Sequence, residues 1–168
     1  MNIAPDVMNG LDIRSRTILH CCERWYSQES SRCIFLLRVL QRKAGYSLRT
    51  IDWMVTNYCK RKPVTVVCGG NPVSVHNDYE RHLTVYNKRY YDPFARREKI
   101  AVTVTGVKIT TTVGQLNFFK WFIERGLDEI VRNHKTDIEA DMKGDVETNV
   151  LAPKNTVVHR GNFQVGFL

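Results

Sequence analysis

The chain has 168 residues, of which 43% are hydrophobic and 10% aromatic, and carries a formal net charge of +8. A chain of this length buries roughly 70% of its unfolded surface, and the composition excludes a disordered or low-complexity polymer. The longest apolar runs, residues 33–37 and 118–123, fall far short of the about 20 residues that cross a bilayer, so no transmembrane segment is expected.

Residues 11–43 read as two helices divided near Gln28–Ser31. Ser30 or Ser31 suits the N-cap of the apolar run Ile34, Leu36, Leu37, Val39 and Leu40, and basic residues with Gly45 close it. Ser47 opens a third helix whose Leu48, Ile51, Met54, Val55 and Tyr58 share one stripe, with Trp53 to its side. Lys60-Arg61-Lys62-Pro63 ends that helix, because cations suit the C-terminal dipole and proline cannot continue it. The stretch VTVVCGGNPVSV (64–75) predicts a hairpin, and DYERHLTVYNKRYY (78–91) a short helix. The alternation in KIAVTVTGVKITTTV (99–113) predicts one or two strands.

A further helix is expected over TTVGQLNFFKWFIERGLDEIV (111–131), begun by the capping box Thr112-x-x-Gln115 and broken at Gly126. NHKTDIEADMKGD (133–145) reads as a polar, acidic helix, and NTVVHRGNFQVGFL (155–168) alternates like a last strand. The sum is an α+β fold: a helical N-terminal half and a small, mostly antiparallel sheet with a packed aromatic-rich helix. A single domain 1–168 is expected, with an N-terminal helical segment 1–45 and an α+β body 46–168.

Signatures of catalysis are missing. The sequence contains no GxxxxGK[ST], GxGxxG, GxSxG or HExxH. Asp137, Glu139 and Asp141 start like a calcium loop, but Met142 and Thr148 stand where the loop needs Gly and Glu. His20-Cys21-Cys22 with Cys33 could in principle hold zinc, yet the paired spacings of a zinc site are absent. Buried free thiols fit the five cysteines better. The opening MNIAPDVMNGLD has neither the basic nor the apolar region of a secretory leader, so a reducing compartment is expected. No catalytic residue, metal, cofactor or small-molecule substrate is expected, and the chain reads as non-enzymatic.

The charge is uneven. Residues 1–110 hold 18 Lys/Arg against 9 Asp/Glu, whereas residues 111–168 hold 7 against 8. The first two-thirds can therefore face an anionic partner. Two clusters stand out as partner-binding candidates: Lys60, Arg61 and Lys62, and then Arg96, Arg97 and Lys99. The second follows YNKRYYDPF, in which aromatic and basic residues interleave as they do both in nucleic-acid sites and in protein interfaces.

The aromatic run poses a separate question. On a helical wheel Leu116, Phe119, Ile123, Leu127 and Ile130 share an arc of about 80°, which one sheet can cover. Phe118, Phe122 and Trp121 fall outside it. Either the helices of residues 11–43 cover them, or Trp121 and Phe118 serve as anchors for a partner subunit.

Three stretches, YSLRTIDWMVTNYCKR (46–61), YYDPFARREKI (90–100) and TTVGQLNFFKWFIERGLDEIV (111–131), occur in that order. Together they resemble an uncharacterised family of nucleocytoplasmic large DNA viruses, in an iridovirus, ranavirus-like form. The resemblance spans residues 46–131 and the terminal VVHRGNFQVGFL, and nothing comparable is found for residues 1–45. It implies a viral assembly site or virion as the setting and assigns no catalytic residue. The function expected is a structural virion component, a minor capsid protein of the cement type that contacts larger capsid subunits. The alternative is a viral nucleic-acid-binding protein for genome packaging or gene expression. The expected location is the virion and, before packaging, the assembly site in the host cytoplasm.

Overall fold

Cap and turn chemistry divides the chain into short elements, and the computed structural model describes them over residues 1–151, with side chains to residue 145. Helices α1 (Pro5–Asn9), α2 (Ile13–Ser27) and α3 (Ser30–Leu40) come first. Helix α4 (Leu48–Trp53) runs through a π-helical turn (Met54–Tyr58) into α5 (Cys59–Arg61). The hairpin β1 (Thr65–Cys68) and β2 (Asn71–Ser74) leads into α6 (Val75–Tyr90), and β3 (Ile100–Val104) pairs with β4 (Val107–Thr111). Helices α7 (Val113–Glu124) and α8 (Leu127–Leu151) follow.

Side-chain oxygens start most of the longer helices. Asp12 Oδ1 accepts the Ser15 N–H at 2.9 Å, Ser47 Oγ that of Thr50 at 3.1 Å, and Thr112 Oγ1 that of Gln115 at 3.1 Å. Two expectations shift. The cap of α3 is Glu29, whose carboxylate takes Arg32 Nε at 3.0 Å and caps no backbone group. At Thr112 the box closes on one side only. The Gln115 side chain instead accepts from the Thr111 hydroxyl at 2.7 Å and donates to the Pro93 carbonyl at 2.8 Å, and makes no bond back to the Thr112 N–H among the described residues.

The fold is α+β, and among the described residues the strands form two separate antiparallel pairs rather than one small sheet. Thr65 faces Ser74 in the first pair and Ile100 faces Thr111 in the second. The β3–β4 turn, Thr105-Gly106, has both φ angles positive (48° and 79°), as a two-residue hairpin of the favoured twist requires. Asn2 extends the outer edge of β3, exchanging backbone bonds of 2.8 and 2.9 Å with Thr103.

This changes what covers the aromatic run. Apolar side chains surround α7, and a two-stranded hairpin offers only one narrow face, so neighbouring helices supply the rest. Helix α7 packs on α2, α6 and α8. The Tyr26 hydroxyl donates to the Leu116 carbonyl at 2.9 Å, and Phe35 stacks on Phe122 with ring centroids 6.0 Å apart. The core runs from Ile3 through Cys22, Tyr26 and Leu36 to Leu127 and Ile138, joining the segment 1–45 to the rest. Gly126, at φ 63°, breaks the run between α7 and α8. Residues 137–141, which start like a calcium loop, lie inside α8. The strand expected at 155–168 lies outside the described residues.

Candidate partner-binding surface

The two basic clusters divide by what each side chain touches. Arg61 pairs with Asp141 of α8 and lies 5.6 Å from the Trp53 ring, while the Trp53 indole N–H donates to the same carboxylate at 2.8 Å. Arg61 is therefore a staple between α5 and α8. Lys62 Nζ lies 5.2 Å over the Tyr58 ring. Arg96 grips Asp92 through two bonds of 3.0 and 3.1 Å and lies 4.8 Å from the Phe94 ring. Lys60, Arg97 and Lys99 are exposed, and none has a carboxylate partner among the described residues.

Trp121 and Phe118 do not belong to this surface. They are 2% and 0% exposed, so both are core and neither reaches out as a partner anchor. The reason is local: the Trp121 indole N–H donates to Asp78 Oδ2 at 2.8 Å, and Phe118 lies against Tyr91 with centroids 5.3 Å apart. Large exposed apolar side chains, among them Ile13, Ile34, Val67 and Val85, are scattered over different elements. Of the partner-binding candidates, those left exposed are the basic residues.

A polar cluster that no sequence motif announces surrounds Asp78. Asp78 is buried and takes Trp121, Arg125 Nε at 2.7 Å and an Arg81 guanidinium N–H. Burial pulls its pKa up, but the bonds from Trp121 and Arg125 outweigh it, and the carboxyl stays below its ordinary range. Lys88 Nζ donates to the Tyr79 hydroxyl at 3.1 Å. Burial raises Asp52 above its ordinary value, which the nearby Lys88 only partly offsets. Asp52 Oδ1 and the Tyr91 hydroxyl are buried without a hydrogen-bond partner among the described residues.

The cluster is built where the three quoted stretches meet. Asn87 takes φ 55° and kinks α6, turning residues 88–92 toward α7. Asn117 Nδ2 donates to the Tyr90 carbonyl at 2.8 Å, and the Asp92 N–H to the Gly114 carbonyl at 3.2 Å. Gly114 is obligatory there, since a Cβ would stand 2.8 Å from the Arg89 carbonyl oxygen. The cluster pairs the buried Asp78 carboxylate, and the contacts of Asn117 and Gly114 hold the backbone at residues 90–92. Its signal in the sequence is weak: Trp121 and Arg125 share a face four residues apart, but Asp78 comes from a distant helix.

Cys22, Cys33 and Cys59 are buried packing groups, whereas Cys68 is half-buried and Cys21 is exposed, against the expectation of buried thiols throughout. Among the described residues no three His, Cys, Asp or Glu side chains come together as metal ligands. Burial pushes the Cys22 and Cys59 thiols up to about 12.

Comparison with known proteins places the chain. A family of unknown function, DUF7197, matches residues 2–160. The chain belongs to that family. The DUF7197 match takes in residues 2–45, so the likeness extends through the N-terminal helices and not only from residue 46. The uncharacterized protein L507 of Acanthamoeba polyphaga mimivirus is 30% identical over 149 residues, covering 83% of this chain and 58% of that protein. The chain thus spans less than two-thirds of that relative's length. Both findings agree with an uncharacterised family of nucleocytoplasmic large DNA viruses. No solved structure matches. Among the described residues, no helix is long and apolar enough to cross a membrane.

Proposed function

We propose that this DUF7197 chain is a non-enzymatic structural component of the virion of an iridovirus-type large DNA virus. In this reading it is a minor capsid protein that lies by its basic surface on larger capsid subunits. It assembles at the cytoplasmic site where particles form and then stays in the virion. The observation that carries the reading is the division of labour among the side chains. The aromatic residues are spent inside the fold, while Lys60, Arg97 and Lys99 stand exposed and unpaired among the described residues. Such cations contribute little to stability and instead suit an acidic partner.

Quantitative mass spectrometry of purified, nuclease-treated particles tests it. A fixed ratio of this chain to the major capsid subunit is expected, and its absence from particles contradicts the reading. The same unpaired cations could sit on phosphates, and that reading makes a different prediction. Affinity for DNA would then fall steeply with salt, by a log–log slope of about 0.9 per phosphate neutralised. A weak response to DNA at physiological salt supports the capsid reading.

A further inference from the structure

A free sheet edge, a groove and unpaired cations meet at one place. The groove holds about 830 Å³ and is bounded by the α3–α4 turn, Phe94, Thr110 of β4 and Lys135 of α8. Thr110 lies on an edge of β4 that no strand pairs among the described residues. Within the hairpin Thr103 stands opposite Lys108, and Ala101 opposite Thr110. Thr103 turns its N–H and C=O outward, where both bond Asn2. Antiparallel pairs alternate in kind, so Lys108 and Thr110, in pairs of the same kind as Thr103, turn their own backbone groups outward on the opposite edge. Both residues are exposed, and no hydrogen bond to those groups occurs among the described residues.

Arginines line the groove beside this edge. Arg42 is the residue after the C-cap of α3, at φ 60°. Its N–H donates to Val39 at 3.0 Å and that of Lys43 to Arg38 at 2.7 Å, the paired bonds that usually call for glycine at this position. An arginine held in the left-handed region is less stable than glycine would be, and what it adds is a guanidinium on the groove wall. Arg49 sits in the first turn of α4, where a cation opposes the helix dipole. Neither has a carboxylate partner among the described residues. Glu139, 3.9 Å from Lys135, also faces the groove. A carboxylate there would repel a nucleic-acid backbone but can accept a peptide N–H.

We infer that the groove and the free edge of β4 receive an extended, acidic segment of a partner protein by strand addition. The segment's backbone pairs with Lys108 and Thr110, and its carboxylates meet Arg42 and Arg49. Lys108 on the edge deters pairing between two copies of this chain while attracting an acidic strand. The inference goes beyond the capsid reading by adding a second surface, apart from Lys60, Arg97 and Lys99, and the chemistry of the partner segment it takes, and rests on that reading only for the partner's setting.

The test uses the full chain and a capped peptide of about ten residues alternating Glu with Val. A Lys-for-Glu peptide and a version N-methylated at alternate positions are the controls. Calorimetry and amide hydrogen exchange read the result. The acidic peptide should bind and slow exchange at Lys108 and Thr110 about tenfold or more, and both controls should fail. The double variant Arg42→Gly with Arg49→Ala should weaken binding by about tenfold without lowering the melting temperature. Overturning results are no binding, binding that leaves both amides unprotected, or binding that survives N-methylation. Tighter binding of a poly-thymidine strand with protection of the same amides also overturns the inference. A chain at fixed copy number in particles that ignores the peptide would keep the capsid reading and remove this one. Peptide binding by a chain absent from particles would do the reverse.

Discussion

Asp78 and Asp52 each hold a carboxylate oxygen away from solvent, yet their acid–base behaviour has opposite sign. The folded pKa of Asp78 is depressed, because the bonds from Trp121 and Arg125 outweigh the burial that would raise it. Its stabilisation is therefore complete above the ordinary carboxylate value and lost as pH falls through the folded one. Urea unfolding should show Asp78→Asn destabilised in full above about pH 5, with the loss shrinking below about 3.9. Asp52 is raised, chiefly by burial. Its neutral form suits the fold, so stability present below the unfolded value is lost as pH rises through the folded one. Asp52→Asn should therefore gain on the native chain as pH climbs above about 3.9, the opposite trend to Asp78→Asn. Parallel curves for the two variants would show that at least one of the carboxylates is not held as described, and the shared slope would say which.

Trp121 makes a related test at the same scale. Its side chain fills the space among Tyr79, Tyr91 and Phe118 and also serves Asp78. Trp121→Ala should cost about 3–5 kcal/mol, as much as Phe119→Ala, because it opens a cavity and strips a donor from a buried carboxylate. A Trp121→Ala protein that melts like the native chain would return this residue to the surface. Arg42→Gly should act the other way and stabilise by about 1 kcal/mol in thermal unfolding, since glycine adopts φ near 60° without strain.

At the scale of elements, sequence signals located the helices where caps and stops are local. Ser47, Thr112, Pro63 and Gly126 each mark a boundary through their own backbone chemistry, and each stands where the structure turns. Of the stripe Leu48, Ile51, Met54, Val55 and Tyr58, the last four are buried as the spacing implies and Leu48 is half-buried. What local pattern cannot supply is the partner of a face. Alternating Val and Thr announce strands but not whether two hairpins merge into one sheet, and a helix apolar all round does not say which neighbours enclose it. The kink at Asn87 and the π-turn were likewise silent: Asn87 Oδ1 accepts the Arg89 N–H at 2.9 Å in a turn that no helix pattern marks, and the π-turn answers to a distant group. In the π-turn the Val55 carbonyl lies 2.9 Å from His76 Nδ1. Gly114→Ala tests the tightest of these contacts: the 2.8 Å approach to Arg89 is to backbone, which cannot swing aside. A loss of about 1–3 kcal/mol is expected in chemical denaturation, and an unchanged midpoint would mean that the α6–α7 approach is looser.

For the whole molecule, the charge asymmetry pointed to a basic surface, but position alone could not sort its members. Arg61 and Arg96 brace the fold through Asp141 and Asp92, whereas Lys60, Arg97 and Lys99 have no carboxylate partner among the described residues. Reversing the first pair to Glu should lower the melting temperature. Reversing the second three should leave it nearly unchanged, since exposed charges contribute about 0–1 kcal/mol each.

The most direct measurement is therefore the copy number per particle of the triple variant Lys60→Glu, Arg97→Glu, Lys99→Glu beside the native chain, in salt-washed and nuclease-treated virions. The native chain should keep a fixed ratio to the major capsid subunit, and the triple variant, equally stable in solution, should fall about tenfold or more. Equal incorporation of the two chains would contradict the claim that this basic surface seats the protein.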